Sequence, residues 1–158
     1  LYTESVQGVM RNAIAAIPRL VSGELRAPRV LLATFPQEQH GLGLLMAEAI
    51  LALEGAHCIS LGVSAPLGEI AQAANMQDAD IVALSFSAAM NANHVLRGLA
   101  DLRSGLSAHA EIWAGGRCAI LYRSPPPAVR VLDLHEIHDA LADWRVRQQA
   151  NAKAKAIP

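Results

Sequence analysis

The rhythm of apolar positions changes at about residue 28. Before it, residues 4–17 (ESVQGVMRNAIAAI) carry apolar side chains at Val6, Val9/Met10, Ile14 and Ile17. This spacing predicts an amphipathic helix starting near Thr3 or Ser5. Pro18 is expected to end or kink it, and residues 19–27 read as a linker. After residue 28, short apolar runs alternate with longer helical patterns. Residues 30–35, 57–63, 80–87, 111–116 and 128–134 read as strands. Residues 41–54, 66–76, 91–103 and 134–149 read as helices. Gly55 is placed to cap the first of these in a left-handed conformation, and Pro66 suits the first turn of the second. In the last helix Leu134, Ile137, Leu141 and Trp144 form one stripe. Residues 117–127 (RCAILYRSPPP) are too short and too rich in proline for a full helix, so a reduced helix or a loop is expected there.

Strands and helices in alternation, with strands apolar throughout, imply a parallel sheet covered on both faces. The predicted fold class is α/β: a flavodoxin/Rossmann-like five-stranded parallel sheet, order 2-1-3-4-5, with helices on both faces and a short N-terminal helix. The organisation predicted is an N-terminal helix and linker (1–27), a main domain (28–150) and a flexible tail (151–158). Because the chain starts LYTESVQGVM, without an initiator Met or a signal-peptide pattern, it reads as a cut from a longer protein.

Composition narrows the function. Of 158 residues, 53% are hydrophobic and 17% charged, with a net charge of −1. Lys and Arg are scattered, which argues against direct nucleic-acid binding by this segment. Cys58 and Cys118 are far apart and in no metal-ligand spacing, which fits a reducing, cytoplasmic setting. No apolar run approaches the ~20 residues of a membrane span.

In open parallel sheets ligands bind beyond the carboxyl ends of the strands, where the strand order reverses. Three loops meet there. The first, 36–43 (PQEQHGLG), holds Glu38, His40 and Gly43; the second follows Ser85 and Ser87; the third opens with Gly115 and Gly116. A histidine in such a place can ligate a metal, with a carboxylate to orient its ring. Glycines allow close approach of a bulky group. Each also has an ordinary reading: solvated loop residues for Glu38 and His40, backbone satisfaction for Ser85, a plain turn for the glycine pair. A phosphoreceiver would want an acid where Ser85 and Ser87 stand. GLGLLM does not complete a dinucleotide fingerprint, and no G-x-S-x-G elbow is present.

Together, EQHGLG (38–43), SFS (85–87) and AGG (114–116) resemble the motifs of cobalamin (B12)-binding domains: an acid, any residue, His, two residues, Gly; then Ser-x-Leu; then Gly-Gly. The resemblance spans about residues 28–148. Glu38 in the acid position is similar to the C-terminal sensor domains of MerR-type, B12-dependent, light-sensing transcriptional regulators. Ser87 departs from the pattern, which has Leu there. The resemblance implies His40 as lower axial ligand of the cobalt, with Glu38 bonded to its other ring nitrogen. It implies a displaced nucleotide tail in the slot between strands one and three, contacted by Ser85, with Gly43, Gly115 and Gly116 making room. It further implies a non-enzymatic sensor for cobalamin, adenosylcobalamin being one candidate form. Such a sensor would reach DNA through an N-terminal domain outside this chain and self-associate in the full-length protein. The second reading is the corrinoid-carrying domain of a methyltransferase or mutase.

Leu42 to Leu53 is expected to be core, His135 and His138 to face solvent, Cys58 to be a buried strand residue, and Cys118 to line the pocket.

Overall fold

A computed structural model describes residues 2–20 and 28–157. Five strands, β1 (Arg29–Ala33), β2 (His57–Gly62), β3 (Ile81–Phe86), β4 (Glu111–Gly116) and β5 (Val129–Val131), form one sheet of order β2-β1-β3-β4-β5. Every adjacent pair is parallel. The helices are α1 (Tyr2–Leu20), α2 (Leu42–Leu53), α3 (Leu67–Met76), α4 (Ala92–Gly105), the short α5 (Ile120–Arg123) and α6 (Ile137–Lys155). The predicted α/β architecture and strand order are those observed.

Strands β1 and β3 lie inside the sheet with helices over both faces, which is why they are apolar throughout rather than alternating. Side chains still divide by parity. Leu31, Val82, Leu84 and Ile112 enter one core, with Ile70 of α3 and Leu99 of α4. Val30, Leu32, Ile81, Ala83 and Trp113 enter the other, with Leu44 and Leu51 of α2 and Leu141 and Trp144 of α6.

The helix ends follow local chemistry. Gly55 adopts φ +87 and its N–H bonds the Ala52 carbonyl at 3.0 Å, the left-handed stop expected. Asn91 caps α4, its side chain accepting from the His94 amide at 3.1 Å. Pro66 sits at the N-cap of α3, one position before the first turn. Where a fourth full helix would be, only the one-turn α5 forms before Pro125, Pro126 and Pro127.

Three boundaries differ from expectation. Helix α1 starts at Tyr2 and continues past Pro18 to Leu20. A proline so near a C-terminus removes only one late intrahelical bond, so the helix need not stop there. The expected linker lies, from residue 21 on, outside the described residues. Helix α6 runs to Lys155, taking in most of the segment read as a tail. In α1 the apolar side chains Val6, Met10, Ile14 and Ile17 are half-buried or buried, whereas Val9 is exposed. This helix lies against α2.

Candidate functional site

The loop after β1 is shaped by its own residues. Phe35, Pro36, Gln37 and Glu38 form a β-turn, closed by the Glu38 amide on the Phe35 carbonyl at 3.0 Å. Proline in second place and Gln37 at φ +72 in third match a type II turn. The turn carries Glu38 inward. Its carbonyl accepts from Thr34 Oγ1 at 2.8 Å and from the Ser64 amide at 3.2 Å, so two neighbouring loops hold it.

The Glu38 side chain is 1% exposed. A carboxylate buried so far must be paired or hydrogen-bonded. Here Oε1 accepts from the His40 amide at 3.0 Å and from His40 Nδ1 at 2.8 Å, and Oε2 accepts from the Ser87 amide at 2.7 Å. Burial pushes the carboxyl up, but hydrogen bonds from the Ser87 amide, the His40 amide and the His40 ring outweigh it. The group is held below its ordinary range. An ionised carboxylate only accepts, so His40 Nδ1 carries a proton, and in the neutral ring Nε2 then keeps its lone pair. The His40 side chain is 70% exposed and belongs to the lining of an open cleft. A neutral imidazole in that tautomer can ligate a transition metal through Nε2.

The cleft holds ≈ 550 Å³ at the carboxyl ends of β3 and β4. Its walls come from α2 (Leu42, Leu44, Met46), from the strand ends (Ser85, Gly115) and from Leu132 after β5. The α2 run expected to be core is thus divided: Leu44, Leu45 and Leu51 are buried, while Met46 and Leu53 are 40% and 61% exposed. Met46 lines the cleft, whereas Leu53 lies outside it.

All seven predicted site residues gather here. His40, Gly43, Ser85, Ser87, Gly115 and Gly116 line the cleft, and Glu38 lies directly behind His40. The glycines work differently from expectation. A Cβ at Gly115 would lie 2.6 Å from the Leu132 carbonyl oxygen, and one at Gly116, where φ is +108, would overlap the Phe86 carbonyl oxygen. What these two admit is the neighbouring backbone, which a side chain would push away. At Gly43 a Cβ would come within 3.0 Å of Ser85 Oγ, across the slot. Ser87 Oγ is buried and has no hydrogen-bond partner.

Cys118 does not line the cleft; it is 3% exposed in the opposite core. Cys58 is only half-buried on the edge strand, its thiol pushed up to about 12 by burial and then by Glu48. His135 and His138 face solvent, as expected, and His138 Nδ1 pairs with Glu54 at 2.7 Å. Sequence reasoning missed Trp113, which also lines the cleft. The signal was present: Trp113 stands two residues before Gly115, so both share a face of β4.

The family model for the B12 binding domain matches residues 28–124. The chain belongs to the B12-binding domain family. It is also 32% identical over 114 residues to the HTH-type transcriptional repressor CarH of Myxococcus xanthus. That match covers 72% of this chain and 37% of the repressor, so the chain spans little more than a third of its curated relative. Among solved structures it is similar to a cobalamin-binding protein from Desulfitobacterium hafniense DCB-2 (TM-score 0.61, 18% identity, 75% of this chain and 59% of that one). It is also similar to the monomethylamine corrinoid protein of Methanosarcina barkeri (TM-score 0.56, 17% identity, 83% and 65%). At such identities the likeness is one of fold.

Cobalamin is the cofactor that membership in the B12-binding family assigns, and the residues present fit it. A bare imidazole nitrogen stands at the mouth, an apolar slot runs behind it, and the Ser87 hydroxyl is buried without a partner. An unpaired buried hydroxyl is costly, and a ligand group would relieve it. No helix among the described residues is long and apolar enough to cross a membrane.

Proposed function

We propose that this B12-binding domain is the sensor part of a transcriptional regulator. It takes cobalamin with the cofactor's own base displaced and His40 in its place below the cobalt. The observation that carries the reading is the dyad: His40 Nδ1 is 2.8 Å from a Glu38 carboxylate that is 1% exposed and also held by the Ser87 amide. Such backing fixes the tautomer and raises the basicity of Nε2. When bound, cobalamin supplies a bond between cobalt and its upper ligand that light can break. The protein's share is to hold Nε2 at the cleft mouth, keep its proton on Nδ1, and accept the displaced tail beside Gly43 and Ser85. Helix α1, lying against α2, would continue into a helical cap over the upper face, and the signal would pass to a DNA-binding domain elsewhere in the full-length protein. The regulatory role is supported by the 32% identity to a repressor over most of this chain. The domain itself performs no catalysis in this reading.

An absorption spectrum tests it. The protein is mixed in the dark with hydroxocobalamin or adenosylcobalamin and desalted, beside His40→Ala. The expected result is a retained corrin with histidine-ligated bands that the variant lacks. Retention with the same bands in His40→Ala removes the axial role. No retention even in a form extended at the N-terminus overturns the reading.

A further inference from the structure

Along the cleft the sheet changes character within two residues. The register of β3 and β4 pairs Ser85 with Gly115 and, two residues earlier, Ala83 with Trp113. Residues two apart on a strand share a face and lie about 6.6 Å apart. The slot is therefore roomy beside Ser85 and Gly115 and closed below by the Trp113 indole. Leu51, Leu132 and Ile137, which also line the cleft, are apolar and buried. Trp113 is itself braced. Its Nε1–H donates to Glu111 Oε2 at 2.9 Å, and Glu111 Oε1 accepts from Arg147 Nη1 at 2.5 Å. The Arg130 guanidinium lies 5.7 Å from the indole centre and bonds Asp143 at 3.0 Å. The indole N–H at the floor is thus already committed to Glu111 and is not free for a ligand.

We propose that Trp113 makes this domain selective for the lower base of its corrinoid. A benzimidazole, whose far edge carries only C–H or methyl groups, fits the apolar indole, whose own N–H is already taken. A purine presents ring nitrogens, and in adenine an amino group, to the same apolar floor, where they go unpaired. The inference deepens the reading above and rests on it, since it needs the nucleotide tail in the slot.

The test is equilibrium binding of three corrinoids, followed by corrin absorption: cobalamin, its adenine-based counterpart, and cobinamide, which has no nucleotide. Cobalamin is expected to bind about tenfold or more tighter than the adenine form. That is the factor for one buried polar group left unpaired at ~1.4 kcal/mol. Trp113→Ala, which opens the floor to water, should bring the two within about threefold. Trp113→Phe should keep the preference. Cobinamide reports the His40 end alone, and its unchanged affinity in both variants shows that they are folded. If Trp113→Ala fails that check, the wild-type comparison and Trp113→Phe decide. Equal wild-type affinity for the two complete corrinoids, loss of the preference in Trp113→Phe, or an undiminished preference in folded Trp113→Ala overturns the proposal. If none of the three binds, or if all bind without regard to His40→Ala, the underlying reading falls and the proposal with it.

Discussion

The two faces of the sheet end differently at the same strand tips. On the α3–α4 side, Phe35 and Phe86 meet edge to face, with centroids 4.8 Å apart and an interplanar angle of 89°. Gly98 of α4 lies so close under the Phe35 ring that a Cβ would overlap it. On the α2–α6 side, the same strands carry Ser85 and Gly115, faced by Gly43, and a cleft of ≈ 550 Å³ remains. Strand alternation alone separates them, because Phe86 points to one face and Ser85 to the other. One face is filled with aromatic volume and serves stability. The other is left short of volume and is the face on which binding is proposed.

Substitutions can break this division. The largest effect is expected on the filled face. Phe35→Ala should cost about 3–5 kcal/mol of stability by denaturant unfolding, through the cavity it leaves. Cobalamin affinity of the folded fraction should change far less. On the open face, Glu38→Gln weakens the backing of His40 and gives the Ser87 N–H a poorer oxygen to donate to. Titration with hydroxocobalamin should show affinity lower by about 10–100-fold. Gly43→Val would fill the slot beside Ser85 Oγ. About a tenfold loss of cobalamin affinity is expected there, with cobinamide binding intact and stability little changed, as Val is no worse than Gly in a helix. Should Gly43→Val unfold the protein as Phe35→Ala is expected to weaken it, the two faces are not divided in this way.

The smallest effect concerns pH. The Glu38 carboxyl is held below its ordinary range, so its contribution to stability is fully present above the unfolded value of ~4.3. It is lost as pH falls through the lower folded value. Thermal midpoints measured from pH 7 down to 3 should therefore show a Glu38-dependent loss only below about 4.3. Glu38→Gln should lack that component. A wild-type loss from this group already between pH 6 and 5 would mean the carboxyl is not stabilised as its three partners indicate.

Much of this was legible in the amino-acid order. The strand order followed from alternating elements with apolar strands, and the three site loops followed from where such sheets bind ligands. The helix boundary past Pro18 was not legible, since whether a proline ends a helix depends on how few bonds remain to lose. The exposure of α2 was not legible either. A helix apolar nearly all round looks the same whether protein or a cleft covers it.

What the sequence determined by itself was local: periodicity chose the elements, turn residues such as Pro36 and Gly55 stopped them, and the EQHGLG, SFS and AGG segments marked the ends that matter. Only tertiary structure brought Glu38 Oε2 to the Ser87 amide at 2.7 Å, across 49 residues of chain. Only it showed that Gly115 and Gly116 answer to Leu132 and Phe86, and that Trp113 lines the slot. The physical reason is that burial, hydrogen-bond pairing and cavity shape belong to side chains distant in sequence, so no single stretch encodes them.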